Sequence, residues 1–110
     1  MNKNDFFIMD IVKDPLYKFF KSGRIFKRDK ANIEGYKEVI NTHTNTDYKV
    51  VYYKNKSLLA HRIIFYNFTN ILPPVVDHVD NNRANNDIDN LRAATYALNR
   101  VNRKPFIGGL

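Results

Sequence analysis

The chain has 110 residues, of which 44% are hydrophobic and 26% are charged, and its formal net charge is +7. A chain of this length can bury one hydrophobic core, so we expect a single domain over residues 1–110. The absence of cysteine excludes a disulfide framework, thiol catalysis and a cysteine-rich zinc site. The positive charge favours a polyanionic partner.

The positive charge is concentrated in one part of the chain. Residues 15–62 contain eleven lysines and arginines against four acidic residues, whereas residues 63–110 contain five against four. The sequence therefore predicts a cationic first half and a nearly neutral second half that collects carboxylates.

No segment of the sequence is typical of export or of membrane insertion. The apolar start is interrupted by Asp10 and lacks a small-residue cleavage site. The apolar run over 63–76 is broken by asparagines and by Pro73-Pro74, and it is shorter than a membrane helix needs. We expect a cytoplasmic protein with no membrane partner.

The predicted elements begin with a short helix over 5–12, which Asp14-Pro15 ends. Four segments rich in aromatic and β-branched residues follow, and each predicts a short strand. These segments are 16–20, 24–27, 36–40 and 48–53. Turn-forming residues separate them, so the pattern predicts a small antiparallel sheet.

A second group of elements occupies the rest of the chain. Ser57 can cap a helix over 57–68, and Pro73-Pro74 stops any helix there. A strand over 75–79, an Asn-rich loop over 80–89, a strand over 91–94 and a helix from Thr95 to about 103 follow. The predicted class is α+β, with a basic sheet and helix over 15–68 and a strand–loop–strand–helix unit over 75–104.

This last unit carries a motif. Residues 77–99 read DHVDNNRANNDIDNLRAATYALN. They resemble the HNH homing endonucleases of phages and introns, whose ββα-metal motif reads roughly D-H-x-D-x-N-x-x-N-N-x-x-x-N-L-x-x-x-T-x-x-x-N, and they fill every fixed position. Residues 59–64 are similar to the H-R-L-V helix that precedes this motif. The resemblance extends over about 16–104 and implies a DNA-cutting enzyme of a bacterial or phage-infected cell.

The resemblance also implies a role for each motif residue. His78 would be the general base, because an imidazole can accept a proton from water near neutral pH. Asp77 and Asn99 would hold one Mg²⁺ or Mn²⁺ ion per active site, since both offer hard oxygen ligands. Asn90 would tie the loop and orient His78. Adjacent strand residues point to opposite faces, so the resemblance further implies a local distortion at Asp77 and His78.

Several other polar residues have a structural and a functional interpretation. Arg24, Lys27 and Arg28 are interleaved with aromatic residues, which suits contact with a nucleic-acid backbone but also a solvated face over a core. Arg62 could bind a phosphate, or it could serve packing or an ion pair. We expect His61 to be a satisfied structural histidine. The loop asparagines, 81, 82, 85 and 86, are expected to be turn formers.

Two functions follow from the sequence. The first is a metal-dependent endonuclease that nicks or cuts double-stranded DNA. The second is a non-catalytic nucleic-acid-binding module that keeps the same fold, although such a module has no use for the motif residues. One metal site cuts one strand at a time, so double-strand cleavage would require two sites, as in a homodimer.

Overall fold

The computed structural model describes residues 3–95. The chain begins with helix α1 (Asp5–Lys13), followed by strands β1 (Tyr17–Phe19), β2 (Ile25–Arg28) and β3 (Tyr36–Glu38). Strands β4 (Asn41–Thr42), β5 (Lys49–Tyr53) and β6 (Lys56–Leu59) come next, then helix α2 (Ala60–Thr69). Strands β7 (Val75–His78) and β8 (Leu91–Ala94) complete the described chain, with a 3₁₀ turn (Ile88–Asn90) between them. The predicted helix after Thr95 lies outside the described residues.

The strands before α2 form two antiparallel sheets instead of the single sheet that we predicted there. Strands β1–β2–β3 make one sheet, β4–β5–β6 make a second, and β7 and β8 form a hairpin. Aromatic and β-branched residues mark β1, β2, β3 and β5, but this composition carries no information on which strands share hydrogen bonds. The α+β class is confirmed.

The predicted helix start at Ser57 is wrong, because residues 57–59 belong to β6. Lys54 and Asn55 have φ angles of 49° and 65° and form a two-residue turn, after which Lys56 pairs with Tyr53. Two successive positive φ angles match the twist of a hairpin, so the chain returns along β5 before α2 begins. Ser57 therefore lies opposite Tyr52 in the ladder and does not cap the helix.

Helix α2 is the centre of the core. Its residues Ala60, Ile63 and Ile64 are fully buried, and they belong to one cluster with Ile8 of α1 and Val51 of β5. Burial of each isoleucine side chain contributes on the order of 2 kcal/mol. Among the helices of the described residues, none is long and apolar enough to cross a bilayer.

A buried ion pair joins the two helices. Arg62 of α2 donates to Asp5 Oδ1 at 2.7 Å and to the carbonyl oxygens of Pro73 and Pro74 at 2.9 and 3.3 Å. Its side chain is 6% exposed and that of Asp5 is 3% exposed. The structure thus favours the ion-pair interpretation of Arg62 over the phosphate-binding one, because a guanidinium held in this way is not presented to DNA.

Candidate active site

The β7–β8 hairpin places Asp77 and His78 at its end. Asp77 pairs with Arg92 and His78 with Leu91, in a regular antiparallel register. This register shows no bulge at Asp77 or His78, so the expected distortion does not take the form of a bulge. Asp77, 8% exposed, accepts a hydrogen bond from Arg92 at 3.3 Å, and His78 is 5% exposed.

The imidazole of His78 is held by three neighbours. Its Nε2 is 2.7 Å from Oδ1 of Asn86. The ring of His61 lies 4.7 Å away, and the ring of Tyr48 lies 6.2 Å away at an interplanar angle of 28°. An amide oxygen can only accept, so Nε2 carries the hydrogen of the neutral ring and Nδ1 carries the lone pair. The arrangement presents one defined basic nitrogen.

A network of side chains folds the loop between the two strands. Asn90 Nδ2 donates to Asp80 Oδ1 and to the Asn85 carbonyl, each at 2.9 Å, and its Oδ1 accepts from the Asp80 amide at 3.2 Å. Asn85 and Asn82 also donate to Asp80. These bonds, led by the one from Asn85, lower the pKa of the Asp80 carboxyl. Asn90 ties the loop, but Asn86 is the loop residue that holds His78.

Sequence reasoning did not single out Asn86. It is 3% exposed, unlike the turn-forming asparagines 81 and 82 of the same loop. Four similar asparagines offer no local signal that separates the one that faces inward. The structure makes this distinction. Gly23 packs directly against the backbone of Asn86, and the side chain of Asn86 is directed towards His78.

His61 also differs from the expectation of a satisfied histidine. Burial, together with His78 and Arg62, lowers the pKa of His61 to about 3, so the ring is neutral at physiological pH. Among the described residues its Nδ1 is buried without a hydrogen-bond partner. Its ring stacks on that of Tyr48, 5.3 Å away, and lies tilted by 53° against the ring of His78. His61 is therefore part of the wall around the proposed base.

Of the predicted DNA-binding residues, Lys27 and Arg28 lie on β2, and Arg24 directly precedes this strand. Arg24 makes an exposed ion pair with Glu38 at 3.1 Å and lies over the ring of Phe26. Lys27 lies over the ring of Tyr17, and both Lys27 and Arg28 are exposed. Exposed cations above aromatic rings remain able to contact a phosphate backbone, since surface ion pairs contribute little and break easily.

One of the two predicted metal ligands lies within the described residues. In the segment 3–95, no three His, Asp or Glu side chains converge as a metal-binding group. Asp77 supplies one carboxylate, and the second predicted ligand, Asn99, lies outside the described residues. The donor types suit a hard divalent cation, and the carboxylate of Asp77 is largely shielded from water.

In a comparison with protein families, residues 58–101 fit the model of an HNH endonuclease. The matched segment begins in β6 and contains α2, both strands of the β7–β8 hairpin, and all four motif residues that the sequence nominated. No curated protein and no solved structure matches the chain.

Proposed function

We propose that this chain is a metal-dependent endonuclease that hydrolyses phosphodiester bonds of double-stranded DNA, because residues 58–101 fit the family model of an HNH endonuclease. His78 is the general base of the proposal. The observation that carries it is the 2.7 Å hydrogen bond between His78 Nε2 and Asn86 Oδ1, inside the matched segment. This bond fixes the tautomer and the ring orientation that a general base needs.

In the proposed reaction, Nδ1 of His78 takes a proton from the attacking water. The water oxygen forms a bond to phosphorus while the bond from phosphorus to the departing 3′ oxygen breaks, and this oxygen takes up a proton from solvent to leave as a hydroxyl group. His61 and Tyr48 keep the imidazole plane fixed during this transfer, since both rings pack against it. A positioned base of this kind contributes about 10²- to 10⁴-fold in rate.

Asp77 and Asn99 would hold one Mg²⁺ or Mn²⁺ ion in each active site. The largely buried carboxylate of Asp77 supports this, because its 3.3 Å contact with the partly exposed Arg92 can be exchanged for a cation. When bound, the ion would stabilise the negative charge that develops on the phosphate oxygens. Asn90 supports the site through the loop that it ties.

The motif over 77–99 supports a more specific function and substrate. A homing or phage-type role, a cytoplasmic location and double-stranded DNA as the substrate follow from the resemblance of residues 77–99. A single site would nick one strand, and a homodimer would provide the two sites for a double-strand cut. The exposed cations Arg24, Lys27 and Arg28 would contribute contacts to the DNA backbone.

A plasmid-nicking assay tests the proposal. Supercoiled DNA should be converted to the open circle with Mg²⁺ or Mn²⁺ and not with EDTA. His78→Ala should lower the nicking rate at least about 100-fold, while DNA binding stays within about twofold because His78 is not a phosphate-charge contact. His43→Asn, which changes a histidine in a surface turn, is the matched control and should cut normally. Normal cutting by His78→Ala would refute the mechanism, and binding without any cutting by the wild type would favour the non-catalytic module.

A further inference from the structure

A cleft lies beside the loop between β7 and β8 and is separate from the ring of His78. Its volume is about 290 Å³, and its lining includes Ser22, Arg24, Glu38, Lys49 and Asn86. One wall is the turn between β1 and β2, and the opposite wall is the loop that carries Asn86. The cleft therefore connects the basic sheet to the residue that holds the proposed base.

The two walls are fixed to each other. Gly23 has a φ angle of 95°, and a Cβ at this position would lie 2.7 Å from the backbone of Asn86. The Ile88 amide also donates to the Lys21 carbonyl at 2.8 Å. Only glycine permits so close an approach at this φ angle, so the cleft is formed before any ligand arrives.

The polar groups of the cleft are mostly hydrogen-bond donors. Lys49 and Arg24 bring two positive charges against the single carboxylate of Glu38, which already accepts two hydrogen bonds from Arg24. Ser22 adds a hydroxyl group. The amide Nδ2 of Asn86 is buried and has no partner among the described residues. A buried donor without a partner is destabilising until an acceptor reaches it.

We propose that this cleft binds a phosphate group of the DNA backbone next to the phosphate that is cut. The inference rests on the proposed function and deepens it, because it assigns a second point of contact on the same substrate. Lys49 and Arg24 supply the charge, and Asn86 links the occupied cleft to His78. A duplex bound in this way is held in a fixed position relative to the general base, His78.

The test is a binding titration in which cleavage cannot occur. All variants carry His78→Ala, and a fluorescent duplex is titrated at several salt concentrations. Lys49→Gln should weaken binding about fivefold and reduce the slope of log Kd against log salt by about 1. Glu38→Gln should strengthen binding, because it removes the one carboxylate of the cleft. The control, Lys56→Gln, removes the same charge from an exposed position on β6 and should change the affinity less than twofold.

Equal losses for Lys49→Gln and Lys56→Gln would overturn the proposal, because they would show a general effect of charge. Weaker binding by Glu38→Gln would overturn it as well. These outcomes are independent of catalysis, since the titration measures binding alone. A protein that never nicks DNA but shows the Lys49 and Glu38 effects would refute the proposed nuclease activity and keep the phosphate site.

Discussion

The buried histidine of α2 links the stability of the protein to pH. His61 is 4% exposed, and burial is the main reason that its pKa falls from 6.5 to about 3. The nearby His78 and Arg62 add to this effect. In the unfolded chain the imidazole has its ordinary pKa, so it gains a proton as the pH falls below about 6.5, whereas in the folded protein it stays neutral until about pH 3.

The difference between the pKa values of His61 in the folded and unfolded states sets the direction and size of the pH effect on stability. Between pH 6.5 and 3 the unfolded state binds more protons than the folded state, so the free energy of unfolding falls as the pH is lowered. The limiting slope is about 1.4 kcal/mol per pH unit. Lowering the pH from 6.5 to 4.5 should therefore cost the wild type about 2 to 3 kcal/mol through this residue alone.

His61→Phe removes the titrating group and keeps a flat ring in the same space. Urea unfolding at pH 7.5 and pH 4.5 gives the loss of stability for each protein, and the loss should be about 2 to 3 kcal/mol smaller in His61→Phe than in the wild type. His43→Asn, in a partly exposed turn, serves as the control and should keep the wild-type loss. If His61→Phe loses as much stability as the wild type, His61 is not a buried neutral histidine and the reasoning fails.

Three further changes test the contacts around the site. Asp5→Asn leaves the buried guanidinium of Arg62 without its carboxylate and should lower the free energy of unfolding by about 3 kcal/mol in urea; a loss below about 1 kcal/mol would contradict a buried ion pair. Gly23→Ala forces a Cβ against Asn86 at a positive φ angle and should cost about 2 kcal/mol in the same assay, whereas an unchanged midpoint would show that the loop can move away. Asn86→Ala removes the partner of His78 Nε2 and should slow plasmid nicking on the order of 100-fold. An unchanged nicking rate would contradict a role of Asn86 in holding His78.

The sequence predicted the elements whose signal is local. Alternating aromatic and β-branched residues marked β1, β2, β3 and β5, and Asp14-Pro15 marked the end of α1. The motif over 77–99 predicted the strand–loop–strand unit. Each of these signals depends on residues close together in the chain, so each could be recognised before the fold was known.

Other features depend on contacts between distant parts of the chain. The short strand β4 has only two residues and no pattern of its own. The apolar residues of 57–59 continue the helix-like spacing of α2, but the hydrogen bonds of this segment to β5 place it in a strand. Propensity is a weak guide where a long-range partner is present, since ladder hydrogen bonds and burial outweigh it.

The order of residues along the chain by itself determined the α+β class, the basic character of the first half and the residues nominated for catalysis. Only the tertiary structure decided that Arg62 pairs with Asp5, that His61 lies against His78, and that Asn86 is the asparagine that holds the imidazole. The reason is physical: whether a polar side chain is buried, and which partner it has, depends on groups that are brought together from segments far apart in the sequence.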